Sequence, residues 1–172
     1  MKKIFLSFAL MFLLLTSAMG QLKHVKGVSN IGVTGGFCGN SNIFGVCFSH
    51  YLQPSWIWNV DGLYETGKVE STRLKHYLIN SGMDHTLFES SEFLYFNVGI
   101  SLFSGFEKLI SEETTVEDVT NYVFGTAGNF NIEFYINSKI LFKLKAEQYY
   151  SPLSNLGKWF PVFSLSLKYC IF

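Results

Sequence analysis

Leu94-Tyr95-Phe96-Asn97-Val98-Gly99-Ile100-Ser101-Leu102-Phe103 is the stretch that decides the fold. Leu94, Phe96, Val98, Ile100 and Leu102 fall on one side of an extended chain, and Tyr95, Asn97, Gly99, Ser101 and Phe103 fall on the other. Successive side chains of a β-strand point to opposite faces, so this is a strand with one apolar face and one mixed, small and polar face. Seven other segments repeat the pattern. They are expected at about 30–37, 43–52, 56–65, 76–87, 122–136, 140–149 and 163–171, which predicts eight strands in sequence. Phe130, Ile132 and Phe134 oppose Asn129, Asn131 and Glu133 in one of them; Leu165, Leu167 and Tyr169 oppose Ser166 and Lys168 in another.

Two architectures produce this alternation, and polarity separates them. A water-soluble barrel of the lipocalin kind turns its apolar faces inward. Here the apolar faces are almost pure Phe, Leu, Ile and Val, while the opposite faces hold Gly, Ser, Asn and several charges. Turned outward, the apolar faces meet lipid and the polar faces line a lumen, the pattern of a transmembrane barrel. The expected fold is therefore all-β, an eight-stranded antiparallel up-and-down outer-membrane β-barrel. Turns at 53–55, 89–92 and 137–139 read as short, and connections at 68–75, 109–121 and 151–160 as long. Trp56, Trp58, Tyr150, Trp159 and Phe160 fall near strand ends, suiting an aromatic girdle.

Composition fits. Charged residues make up 15% of the 172 and aromatics 17%, with 15 Gly and only 3 Pro. Lys2 and Lys3 precede an apolar run from Ile4 to Leu15, and Ala18-Met19-Gly20 offers a cleavage site before Gln21. That is a secretory signal over residues 1–20, leaving a barrel domain at 21–172. Without Lys2 and Lys3, 11 basic residues face 13 acidic ones. This balance gives no electrostatic case for binding nucleic acid directly.

Eight strands leave an interior just wide enough for side chains to fill it. The inward charged set is expected to be Asp61, Glu65, Asp84, Glu107, Glu133, Lys143, Lys145, Glu147 and Lys168, read as a structural polar network rather than an acid–base pair. If residues 137–139 close a hairpin, Glu133 opposes Lys143 and Asn131 opposes Lys145, so cross-strand pairs satisfy the buried charge. No catalytic, cofactor or metal site is expected, and no small-molecule substrate. Cys38, Cys47 and Cys170 are an odd set; a turn near 39–42 would set Cys38 beside Ile43 and Cys47 beside Thr34, so these thiols read as small unpaired interior residues. Ser81 and His85 share a face, but four residues on a strand span about 13 Å, too far for a hydroxyl–imidazole bond. His24 falls in the leading segment, His50 and His85 with the apolar parity, and His76 beside a loop.

Several strand and turn patterns resemble the TraO family of conjugal-transfer proteins from Bacteroides-type conjugative transposons. They are Gln21, Lys26-Gly27, the Gly-rich strand from Gly32 to Gly36, Tyr77 to Thr86 around Gly82, and Phe96-Asn97-Val98-Gly99 running into Ser104-Gly105-Phe106-Glu107. Phe124-Gly125, Phe134-Tyr135-Ile136-Asn137-Ser138-Lys139 and the terminal Phe172 complete them. Phe106 stands where the family carries Tyr, and Phe172 falls one residue out of register with Phe163 to Ile171. The resemblance implies a non-enzymatic scaffold or docking component of a conjugative DNA-transfer apparatus. It would sit in the outer membrane of a Bacteroidetes-type cell and contact membrane lipid and other conjugation proteins. The alternative is a general OmpA/OmpX-like surface barrel for adhesion or envelope stability.

Overall fold

A strand with one apolar and one polar face is stable only when both faces find a suitable neighbour, and closing the sheet supplies them while removing every edge. In a computed structural model, which describes residues 24–69, 72–111, 119–154 and 158–171, the chain forms eight antiparallel strands paired in sequence order into a closed barrel. The strands are β1 (Ser29–Cys38), β2 (Ser41–Gln53), β3 (Trp56–Val69), β4 (Thr72–Ser91), β5 (Leu94–Ser111), β6 (Val119–Tyr135), β7 (Ile140–Tyr150) and β8 (Trp159–Ile171). Closure comes from β1 against β8, with Ser29 opposite Ile171 and Phe37 opposite Phe163.

The strands are staggered. A row of directly opposed residues starts at Ser29 and passes His50, Trp58, Met83, Ile100, Gly128 and Gln148 to Pro161. Pro161 lies two residues beyond Phe163, the partner of Phe37, so one circuit climbs from the bottom of β1 to its top. Such stagger tilts the strands and fixes the barrel's width. The lower rim carries residue 24, residue 171 and the connections 54–55, 92–93 and 136–139; the upper rim carries 39–40, the strand ends Val69, Thr72, Ser111 and Val119, and residues 151–154 and 158.

Three expectations are corrected here. The first hairpin turns at Gly39-Asn40, with Gly39 at φ +55°, so Cys38 faces Ser41 and Cys47 faces Gly32. The three cysteines are free thiols. Residues 68–69, 72–75 and 109–111 are not loop: β3 runs up to Val69, β4 starts at Thr72 and β5 continues to Ser111. Phe160 is not part of a girdle; it points inward and stacks on Tyr149 at 5.1 Å. The signal segment and Phe172 lie outside the described residues, and β8 keeps an unbroken register to Ile171.

The two faces separate cleanly. Ile31, Val33, Phe44, Val46, Ile79, Ile100, Leu102, Leu144 and Leu165 are exposed on the outside, Ile100 by 74%. A ring of aromatics crosses four strands near the upper rim, Tyr64 opposite Tyr77, Tyr77 opposite Phe106, and Phe106 opposite Tyr122. Inside, two apolar clusters cap a polar layer. Val28, Tyr51, Ile57, Tyr95, Tyr135, Leu141 and Cys170 form the lower one. Ile43, Leu78, Phe103, Val123, Ala127, Tyr149 and Val162 form the upper one.

Candidate functional site

The polar layer is built from residues that strand parity turns inward and that register brings to similar heights. Glu133 and Lys143 are directly opposed on β6 and β7, as are Asn131 and Lys145. Lys143 Nζ donates to Asp84 Oδ2 at 2.7 Å and to Asn59 Oδ1 at 3.3 Å, and lies 3.4 Å from Glu133 Oε1. Asp84 accepts further bonds from Asn129 at 3.0 Å and Asn131 at 2.9 Å. Asn131 Oδ1 in turn accepts from Asn97 at 2.8 Å. Both Asp84 oxygens are thus satisfied, and that satisfaction makes its burial tolerable.

A second knot lies above. Lys145 Nζ bonds Asp61 Oδ2 at 2.6 Å and pairs with Glu147 Oε2 at 3.2 Å. Tyr149 donates to Glu147 at 3.2 Å, and Asn80 Nδ2 donates to Glu147 Oε1 at 3.3 Å. The void left among Asn59, Asp61, Asn80, Asp84, Ser101, Asn129 and Glu147 is about 10 Å³, room for one water. The middle of the lumen is packed.

Below, Glu133 is capped by Tyr51, which strand periodicity turns inward on β2, and by His24, which lies before β1 where periodicity does not reach. Tyr51 donates to Glu133 Oε2 at 2.9 Å, and His24 Nε2 lies 3.0 Å from the same oxygen. The His24 ring stacks on Tyr95 with centroids 3.7 Å apart and planes 8° from parallel, and Nδ1 lies 3.1 Å from the Pro54 carbonyl. The segment before β1 therefore folds under the barrel and closes its floor, helped by the Gly27 amide on the Tyr51 carbonyl at 2.8 Å. Nothing in the local sequence of His24 announces this, because its partners are 30 to 109 residues away.

The inward charged residues read from the sequence do not form one cluster. Asp61, Asp84, Glu133, Lys143, Lys145 and Glu147 meet in the middle layer. Lys168 is buried near them, but its Nζ has the Ser49 hydroxyl at 3.3 Å as its hydrogen-bond partner and no carboxylate within ion-pair distance among the described residues. Glu65 and Glu107 stand apart near the upper rim, on either side of His76, which opposes both. His76 is a lumen residue rather than a loop-border one: Nδ1 lies 3.1 Å from Glu65 Oε2. Glu107 accepts from Ser154 at 2.8 Å. A cavity of about 420 Å³ opens here between Cys38, Glu65, Leu74, His76 and Phe160. Ser81 and His85 are not brought together; Ser81 takes a bond from Trp58 and His85 faces the Ser55 carbonyl. Among the described residues no group of three or more His, Cys, Asp or Glu is arranged to hold a metal.

The family model described as conjugative transposon protein TraO matches residues 19–171. The chain belongs to the TraO family. The match takes in all eight strands and the His24 segment, and stops one residue short of Phe172. No curated protein matches this TraO-family chain. Among solved structures it is similar to the N-terminal β-barrel domain of Pseudomonas aeruginosa OprF, at 10% identity and TM-score 0.64, over 83% of this chain and 98% of that one. It is also similar to Neisserial surface protein A, at 12% identity and TM-score 0.64, over 84% and 95%. The outer membrane protein OprG of Pseudomonas aeruginosa follows at 11% identity and TM-score 0.60, over 86% and 97%. At these identities the likeness is one of fold.

Proposed function

We propose that this chain is a non-enzymatic outer-membrane component of a conjugative DNA-transfer apparatus, serving as a scaffold or docking element. Family membership supports the link to conjugation, and the closed lumen bears on the role. A void of about 10 Å³ in the middle layer, capped by apolar clusters at both ends, passes no nucleic acid. Contacts with other transfer proteins therefore run through the rims.

Membrane residence is supported by the outward faces. The apolar band ends in the Tyr64–Tyr77–Phe106–Tyr122 row above and in Trp56, Trp58 and Tyr169 below, as interfacial aromatics flank a hydrocarbon layer about 25 Å deep. Export by a signal over 1–20, cleaved before Gln21, delivers the chain, with the lower rim toward the periplasm. The test is in-frame deletion of the gene from a conjugative element. Transfer frequency is expected to collapse while detergent sensitivity of the envelope stays unchanged. Normal transfer with a leaky envelope would instead fit the general surface barrel.

A further inference from the structure

Two polar pairs on the outer wall are satisfied within the chain: Ser29 Oγ lies 2.8 Å from His50 Nδ1, and Trp58 Nε1 donates to Ser81 at 3.1 Å. Gln148 is not. It is exposed on the outer face of β7, its Nε2 reaches only the neighbouring Tyr149 carbonyl at 3.4 Å, and its Oε1 has no partner among the described residues. Gly128 on β6 stands directly opposite it. A Cβ at Gly128 would meet no described atom within 4 Å, and its φ is not positive, so neither packing within the chain nor backbone conformation calls for glycine there. The register of β6 is unbroken on both sides, so no bulge accounts for it either. Glycine inside a strand weakens it, and is found where another backbone approaches closely. Thr126 and Ala146, adjoining outward residues on the two strands, are small as well, while Ile100, Phe130, Leu144 and Tyr150 surround the patch.

Depth makes this combination costly. Gln148 lies two residues below Tyr150, whose ring packs on Trp159 at 4.7 Å. At about 3.3 Å per residue along a tilted strand, its amide sits roughly 5 Å inside that aromatic level. A primary amide that faces hydrocarbon unpaired costs free energy, and a neighbouring membrane protein that offers both a donor and an acceptor removes the cost. We infer that Gly128 and Gln148 are the centre of an interface with a second copy of this chain inside the outer membrane. Two copies inserted in the same direction pair isologously only about a twofold axis along the membrane normal. A residue on that axis meets its own copy at its own depth. Glutamine suits the position because its amide carries both donors and an acceptor, so two of them satisfy each other. Gly128 lets the two walls approach. The inference rests on the membrane reading proposed above.

The protein, purified from membranes and carrying a donor or an acceptor dye on its amino terminus, is reconstituted into phosphatidylcholine vesicles, and energy transfer is followed as added lipid dilutes it. Transfer that falls reversibly along a monomer–dimer curve is the expected result for the wild type. Gln148→Leu and Gly128→Leu should each weaken association by about tenfold, and Gln148→Asn by less. Val46→Leu, exposed on β2 across the barrel, should leave it unchanged. Heat-modifiable migration on a gel confirms that each variant is folded. Dimers that persist unweakened in both Gln148→Leu and Gly128→Leu overturn the interface, because the copies then meet elsewhere. A wild type that inserts but stays monomeric at every dilution overturns it too, and leaves the patch to lipid or to a different membrane protein. Failure to enter vesicles at all overturns the membrane reading, and the interface with it.

Discussion

Lys143→Met should be among the most damaging single changes in the lumen. Lys143 is 2% exposed and touches Asp84 at 2.7 Å and Glu133 at 3.4 Å, both themselves almost fully buried. Methionine fills the same space but leaves two carboxylates with hydrogen-bond donors and no cation between them. Removing one partner of a buried ion pair costs about 3–5 kcal/mol. With a urea dependence of about 2 kcal/mol/M, the unfolding midpoint should fall by about 2 M. The assay is urea titration of the barrel refolded into lipid vesicles, read by far-UV circular dichroism and by heat-modifiable migration. Lys168→Met is the internal control: its hydrogen-bond partner is a hydroxyl at 3.3 Å, so removing the charge should cost less than about 1 kcal/mol or stabilise. Adding Asp84→Asn to Lys143→Met should recover part of the loss, a coupling of at least about 1 kcal/mol. Equal costs for Lys143→Met and Lys168→Met, with additive double variants, would refute the pairing as the reason these charges are tolerated.

Other changes probe other parts of the account. Gly99→Ala places a Cβ against the Asp84 carboxylate, 2.6 Å from Asn129 Nδ2 and 2.7 Å from the Met83 carbonyl, and should cost about 1–3 kcal/mol in the same titration. His24→Ala removes the stack on Tyr95 and a bond to buried Glu133, an expected loss of about 1.5–3 kcal/mol; His50→Ala, on the outside, should cost less. Ile100→Arg, at a position 74% exposed, should cost about 2–4 kcal/mol in vesicles, because an arginine there faces hydrocarbon. On a water-facing surface the same change would be near neutral.

The parts of the fold that were legible in the sequence are those where lipid dictates composition. Within the hydrocarbon one face must be apolar, so Phe96 to Leu102 and Phe163 to Ile171 reveal their parity unaided. The Asn137-Ser138-Lys139 turn set the β6–β7 register correctly, and with it the Glu133–Lys143 opposition, because the Asn137 side chain itself closes the turn onto the Lys139 and Ile140 amides at 2.8 Å. Above the aromatic row the rule inverts. Lys68, Arg73 and Lys75 point outward while Leu74 and His76 are buried, so a continuing strand reads as a polar loop. The first hairpin reads as a longer turn because Gly39, Asn40, Ser41 and Asn42 all suit one, whereas the positive φ of Gly39 makes a two-residue turn at Gly39-Asn40. His24 and the separation of Glu65 and Glu107 from the middle layer depend on stagger around the whole barrel, which no local pattern encodes.

The most direct measurement asks which solvent the apolar faces of β5 and its neighbours require. Protein purified unfolded in urea is diluted into buffer alone or into phospholipid vesicles, and its gel migration is compared with and without boiling. A compact, heat-modifiable, protease-resistant band only in the presence of vesicles is the expected result. A cooperatively folded, monomeric protein in plain buffer would contradict a barrel that is apolar outside and charged within.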